Sequence, residues 1–189
     1  MAFDLKKKVE NVGQTIICRW FLIGFVVFLV GSGCAVAQET RDREDIEAAM
    51  VFAASKFVAW PQPIAGSFDV CIAGEGRLSQ FIQGYEGKRL KGVEVKVRVL
   101  KESDALTGCR TMIVPREMTR MEKRLESARD QPIMTIGDAP GFVEAGGIMG
   151  FLLVDGKVRF EVNLDAAKKS GLSLGSQMVG LAVSVKGAK

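Results

Sequence analysis

The chain contains no histidine. That absence removes the Ser-His-Asp and Cys-His nucleophile systems, and every imidazole metal site, in one step. A strong charge bias is also missing, because 26 Lys and Arg against 22 Asp and Glu leave a formal net charge of +4. A nucleic-acid partner needs a concentrated basic face, and this balance does not supply one. Internal repeats, low-complexity tracts and linker-like stretches are absent between Arg41 and Val185. What remains is ordinary globular material: 189 residues, 48% hydrophobic and 25% charged. That is enough for one domain plus a short targeting segment.

The targeting segment is at the N-terminus. Lys6, Lys7, Lys8 and Arg19 precede the uncharged run Trp20–Val30, followed by Gly31-Ser32-Gly33-Cys34 and Ala35-Val36-Ala37. A basic region, an apolar core and an A-x-A site make a secretory signal peptide over residues 1–37, cleaved after Ala37. The mature domain then runs over 38–189, with Gln38 first. The alternative is an uncleaved anchor, since Trp20–Ala37 approaches the shortest apolar length that spans a bilayer. A lipoprotein through Cys34 is the weaker reading, because Gly31 stands where a larger aliphatic residue is usual. With the basic flank held inside, the domain is expected in the periplasm.

Cysteine usage agrees with that address. Cys18 and Cys34 belong to the targeting segment, which leaves Cys71 and Cys109 in the domain. A lone pair in an exported domain points to a disulfide, with two buried free thiols as the alternative. The closed loop of roughly 40 residues would contribute on the order of 3–4 kcal/mol through chain entropy.

Hydrophobic periodicity orders the rest. Ile46, Ala49, Met50, Ala53, Phe57 and Trp60 recur at helical steps, so Arg41 to Trp60 reads as a helix ended by Pro61 and Pro63. Phe68–Ala73 is a short β run, Leu78–Tyr85 a brief helix, and Val93–Leu100 an alternating strand suited to a sheet edge. Cys109–Val114 and Pro132–Ile136 read as further strands around a charged helix, Glu117–Ala128. Strands alternating with helices predict a single α/β domain, with a mostly parallel sheet flanked by helices.

The densest pattern lies between Asp138 and Leu172. Asp155-Gly156 is a two-residue hairpin signal. With those residues as the loop, Leu153 faces Val158, Phe151 faces Phe160 and Met149 faces Val162, which builds one apolar face. The other face pairs Leu152 with Arg159, Gly150 with Glu161 and Ile148 with Asn163. Arg159, Glu161 and Asn163 therefore form a mixed face suited to a helix, a partner or a second copy of the chain. A helical turn, Asp165–Gly171, capped by Asp165, and an amphipathic segment, Leu172–Val185, complete a C-terminal β-hairpin region.

Four motifs invite function and each has a plainer account. Gly74-Glu75-Gly76 sits where a dinucleotide fingerprint would start, but Ser79 holds the third glycine position, so a strand-to-helix turn is the better reading. Asp138, Glu144, Asp155, Glu161 and Asp165 suggest glycosidase carboxylates. Turns and a cap account for all but Glu144 and Glu161, which lack a shared frame. Gly146-Gly147 mark a sharp turn whose amides are open to an anion or a partner strand. Phe57, Trp60 and Pro61 close the first helix as core packing or as an interface anchor. Catalytic, cofactor and metal residues are expected to be none.

With these residues placed, the sequence resembles the YfiR family of bacterial periplasmic proteins. The resemblance rests on Lys56-Phe57-Val58-Ala59-Trp60-Pro61, on Phe68–Ala73 and on Met134-Thr135-Ile136-Gly137-Asp138. It continues through Gly141-Phe142, Gly146-Gly147, Gly150-Phe151 and Val158–Leu164. Several blocks in order are more specific than any one motif. The resemblance implies a non-enzymatic α/β domain that represses a membrane-bound diguanylate cyclase by contacting its periplasmic sensor region. It also implies release when a peptidoglycan-associated outer-membrane lipoprotein sequesters the repressor. Cys71 and Cys109 match a family disulfide. Some relatives carry a second pair near the Gly-Gly turn, and this sequence has none. The rival expectation is a small-molecule binding module feeding a sensor kinase or transporter, with its crevice bordered by the turns Gly74–Gly76 and Asp138–Gly141.

Overall fold

Alternating β and α segments build one sheet covered on both faces. The structure is a computed structural model that describes residues 34–188. The apolar core of the expected signal peptide lies outside the described residues, and the compact domain begins at Arg43. Among the described residues, no helix is long and apolar enough to cross a membrane.

Helix α1 (Cys34–Lys56) is followed by β1 (Val58–Ala59), β2 (Ser67–Ala73), α2 (Arg77–Gln83), β3 (Arg89–Leu90) and β4 (Val93–Leu100). Next come β5 (Thr111–Val114), α3 (Met121–Ala128), β6 (Met134–Gly137), β7 (Met149–Val154) and β8 (Lys157–Asn163). The chain ends with α4 (Leu164–Lys169), β9 (Ser173–Leu174), α5 (Ser176–Val179) and β10 (Ser184–Lys186). The main sheet has eight strands in the order β10-β8-β7-β6-β5-β2-β4-β3. Strands β4, β2, β5, β6 and β7 run parallel to one another.

Period-two alternation divides the core. From β2, Phe68, Val70 and Ile72 point to a larger cluster with Val51, Phe52, Leu78 and Ile82 from α1 and α2. Cys71 and Ala73, from the other side of the same strand, join Met112, Val114, Leu125, Ala128 and Phe142 under α3. Apolar residues on both faces are what a parallel, doubly covered sheet requires.

The hairpin forms in the expected register, pairing Leu153 with Val158, Phe151 with Phe160 and Met149 with Val162, and Leu152 with Arg159 and Gly150 with Glu161. Asp155 and Gly156 both adopt positive φ, 50° and 70°, as a type I′ turn demands.

Four local expectations are corrected. Helix α1 stops at Lys56, where the Phe57 amide donates back to the Ala54 carbonyl. Val58 and Ala59 instead pair with Leu174 and Ser173 of β9, because Val58 gains full burial and a backbone partner there. Strand β4 is not a bare edge, since Leu90 and Arg89 of β3 cover its first two residues. The segment after the hairpin is also divided. Gly175 and Gly180 break the expected amphipathic segment into β9, α5 and β10, and β10 adds in parallel to β8. Finally, Asn163 rather than Asp165 caps α4, its Oδ1 accepting the Ala166 amide at 2.9 Å.

Candidate functional site

The glycine pair and the end of β8 are organised around one aromatic ring. Phe142 is fully buried, and its ring occupies the space where a Cβ on Gly147 or Gly137 would lie. Gly146 holds φ at +104°, a conformation that favours glycine. The turn is therefore demanded by packing. Beside it, Asn163 is buried and bonded at both ends of its amide, since its Nδ2 donates to the Val143 carbonyl while its Oδ1 caps α4.

A cavity of about 300 Å³ opens next to this turn. Gly146, Thr135 and Asn163 lie on its wall with Arg129, Lys169 and Lys186, three cations facing one carboxylate, Asp165. Glu161 is half-buried, and desolvation raises its pKa, with Glu144 adding to the rise and Lys186 opposing it. The hairpin thus brings Glu144 and Glu161 within electrostatic reach, although the sequence offers them no common frame. Arg159 is exposed on the same strand, where among the described residues its guanidinium reaches only the Val158 carbonyl.

Phe57, Trp60 and Pro61 sit elsewhere, at the β1–β9 ladder. Trp60 stacks edge-on against Phe68 with ring centroids 5.4 Å apart, and its indole N–H donates to the Arg110 carbonyl at 3.2 Å. Phe57 is 41% exposed while its carbonyl accepts the Gly175 amide at 2.8 Å. Its backbone is held and its ring is offered to solvent. Pro61 is exposed beside them.

Cys71 and Cys109 form a disulfide, with Cα atoms 5.7 Å apart and a sequence separation of 38. It ties β2 to the approach of β5. Arg98 lies over it, its Nη2 placed 3.4 and 3.5 Å from the two sulfurs and 2.8 Å from the Thr107 carbonyl.

Sequence reasoning missed two groups. Glu47 is fully buried on α1 against Arg43, 2.7 Å away, while its Oε2 has no partner among the described residues. Burial lifts its pKa to about 7, partly offset by Arg43, with Asp138 raising it further and Arg116 lowering it. Asp138 is itself buried, accepting the Arg116 amide at 2.8 Å and the Arg116 Nε at 2.5 Å. The second group is Arg124 on α3, buried with Nε and Nη2 unpaired among the described residues. Helical spacing carried a signal for both. Glu47 shares a stripe with Val51 and Ala54, and Arg124 shares one with Leu125 and Ala128.

Fold and site together define a doubly covered α/β domain, stapled by one disulfide, with a cationic cavity and an exposed aromatic corner. Residues 44–183 match the YfiR/HmsC-like family, and the chain belongs to that family. This is a regulatory rather than catalytic family, periplasmic and concerned with cyclic di-GMP signalling. No curated protein matches the chain. Among solved structures, the fold is similar to an ABC domain from Streptococcus pneumonia in complex with L-Trp. The TM-score is 0.50 at 9% identity over 76% of this chain, and the chain spans 60% of that structure. That likeness is one of fold.

Proposed function

We propose that this protein represses a membrane-bound diguanylate cyclase by docking on its periplasmic sensor part, with the exposed aromatic corner at Phe57 as an anchor. Family membership over residues 44–183 is the observation that carries this reading. The corner supports it, because Phe57 exposes a large apolar ring on a backbone already held by Gly175. A rigid, exposed aromatic is the kind of residue that anchors an interface. The mixed face at Arg159 and Glu161 is the second contact surface, for a homodimer or for a peptidoglycan-associated lipoprotein of the outer membrane that sequesters the repressor.

Export is assigned to the leader over 1–37 with cleavage after Ala37, and the retained anchor is the alternative. The N-terminal mass of the purified protein separates the two. Deleting the gene is expected to raise cyclic di-GMP and biofilm formation, and the tagged protein is expected to capture the cyclase. Unchanged cyclic di-GMP on deletion, with no cyclase captured, would sink the reading.

A further inference from the structure

A recess of about 230 Å³ lies at the carboxyl ends of β2, β4 and β5. Its position follows from the topology. The chain leaves β2 through α2 toward β4 on one side, and leaves β5 through α3 toward β6 on the other. Helices α2 and α3 pack on opposite faces of the sheet. Adjacent strands whose connections diverge in this way part their loops, which is where open α/β sheets hold ligands.

One wall of the recess is Arg124. It is 5% exposed, and among the described residues its Nη1 donates only to the carbonyls of Glu102 and Asp104, at 3.4 and 3.1 Å. Its Nε and Nη2 are enclosed and have no partner among the described residues. Neighbouring cations are treated differently: Arg120 and Lys123 both pair with the Glu102 carboxylate. A buried guanidinium without a carboxylate, and with two donors unused, is a costly arrangement that an oxyanion would relieve. The unused Nε–Nη2 edge is the planar fork that takes a carboxylate through two parallel hydrogen bonds.

The other lining groups narrow the ligand. Lys101 adds positive charge, Arg120 is held by Glu102, and the carboxylates of Glu75, Glu102 and Glu117 lie on the same recess. Glu75 and Glu117 repel a phosphate dianion and accept hydrogen bonds from hydroxyl or amine groups. The volume falls below the roughly 300–1,000 Å³ usual for drug-sized ligands, so the occupant is compact.

We propose that the recess between the ends of β2 and β5 is an effector site for a small organic carboxylate carrying a hydroxyl or amine, its carboxylate gripped by Arg124. Because Nε and Nη2 are enclosed, binding is accompanied by a shift of the guanidinium or of the Glu102–Asp104 loop. None of the lining residues belongs to the candidate contact surfaces, so the site gives the regulator an input separate from its protein partner.

The test is thermal unfolding and calorimetric titration of the exported protein with sodium lactate, sodium glycolate and serine. Sodium phosphate and sodium chloride at matched ionic strength are the controls. At least one hydroxy- or amino-carboxylate is expected to raise Tm saturably, by about 3 °C or more at ten times its Kd. Phosphate and chloride are expected not to. Arg124→Gln should weaken that Kd at least tenfold. Because a buried arginine can be needed for folding, Thr119→Phe serves as the second variant: it fills the recess from an exposed position and should abolish the shift while leaving the unliganded Tm unchanged. The proposal is overturned by a wild-type protein that responds no more to these carboxylates than to chloride. It is equally overturned by a carboxylate response that survives Thr119→Phe.

Discussion

Phe142 and Gly147 are complementary: the buried ring stands where any side chain at position 147 would have to go. Gly147→Ala is therefore an overpacking substitution, expected to cost about 1–3 kcal/mol. Phe142→Leu should reduce that cost, and the coupling appears in a double-mutant cycle read by urea unfolding. Additive effects would mean that the ring and the glycine do not constrain each other.

Glu47 gives the fold a defined pH dependence. Its folded pKa of about 7 stands above the ordinary value of 4.5. The folded state therefore binds the proton more tightly, and this contribution is fully present below about pH 4.5 and is lost as pH rises through 7. The size is about 3 kcal/mol across that window. Glu47→Gln should match the parent protein at pH 5 and exceed it in stability at pH 8. A difference between the two that stays constant over pH would disprove the assignment.

The disulfide restrains the unfolded chain more than it adds contacts. Cys109→Ser is expected to lower stability by about 3–4 kcal/mol for a loop of this length. The parent protein should lose a similar amount in reductant, whereas the variant should be insensitive to it. Urea unfolding with and without reductant makes the comparison.

Phe57 and Trp60 should separate in their effects. Phe57→Ala is expected to cost less stability than Trp60→Ala, about 1 kcal/mol, since Phe57 is 41% exposed. It should nevertheless weaken capture of the cyclase sensor part at least tenfold. Trp60→Ala removes the Phe68 contact and the Arg110 hydrogen bond, and should cost about 2 kcal/mol or more. A Phe57→Ala protein that captures the cyclase normally would remove this corner from the interface.

Arg159→Ala tests self-association. Among the described residues Arg159 pairs with no acidic group of its own chain, so any homodimer built on this face should lose mass by light scattering when it is truncated. An unchanged mass removes Arg159 from a dimer contact.

Local sequence was sufficient wherever one short segment contained all the interacting parts. The hairpin is the clearest case: Asp155-Gly156 and a period of two set every pairing from Met149–Val162 to Leu153–Val158. The cysteine pair was legible by counting, and the split of β2 into two faces by its alternation. Residues distant in sequence decided the rest. Val58 and Ala59 left the helix because Ser173 and Leu174, more than a hundred positions away, offered them a ladder. Leu172–Val185 became three short elements because β8 still had an open edge. The charges on Glu47 and Arg124 became buried only when α1 and α3 closed over opposite faces of the sheet. Burial is a property of the assembled layers, so the pKa of Glu47 and the unused donors of Arg124 were set by the tertiary structure alone.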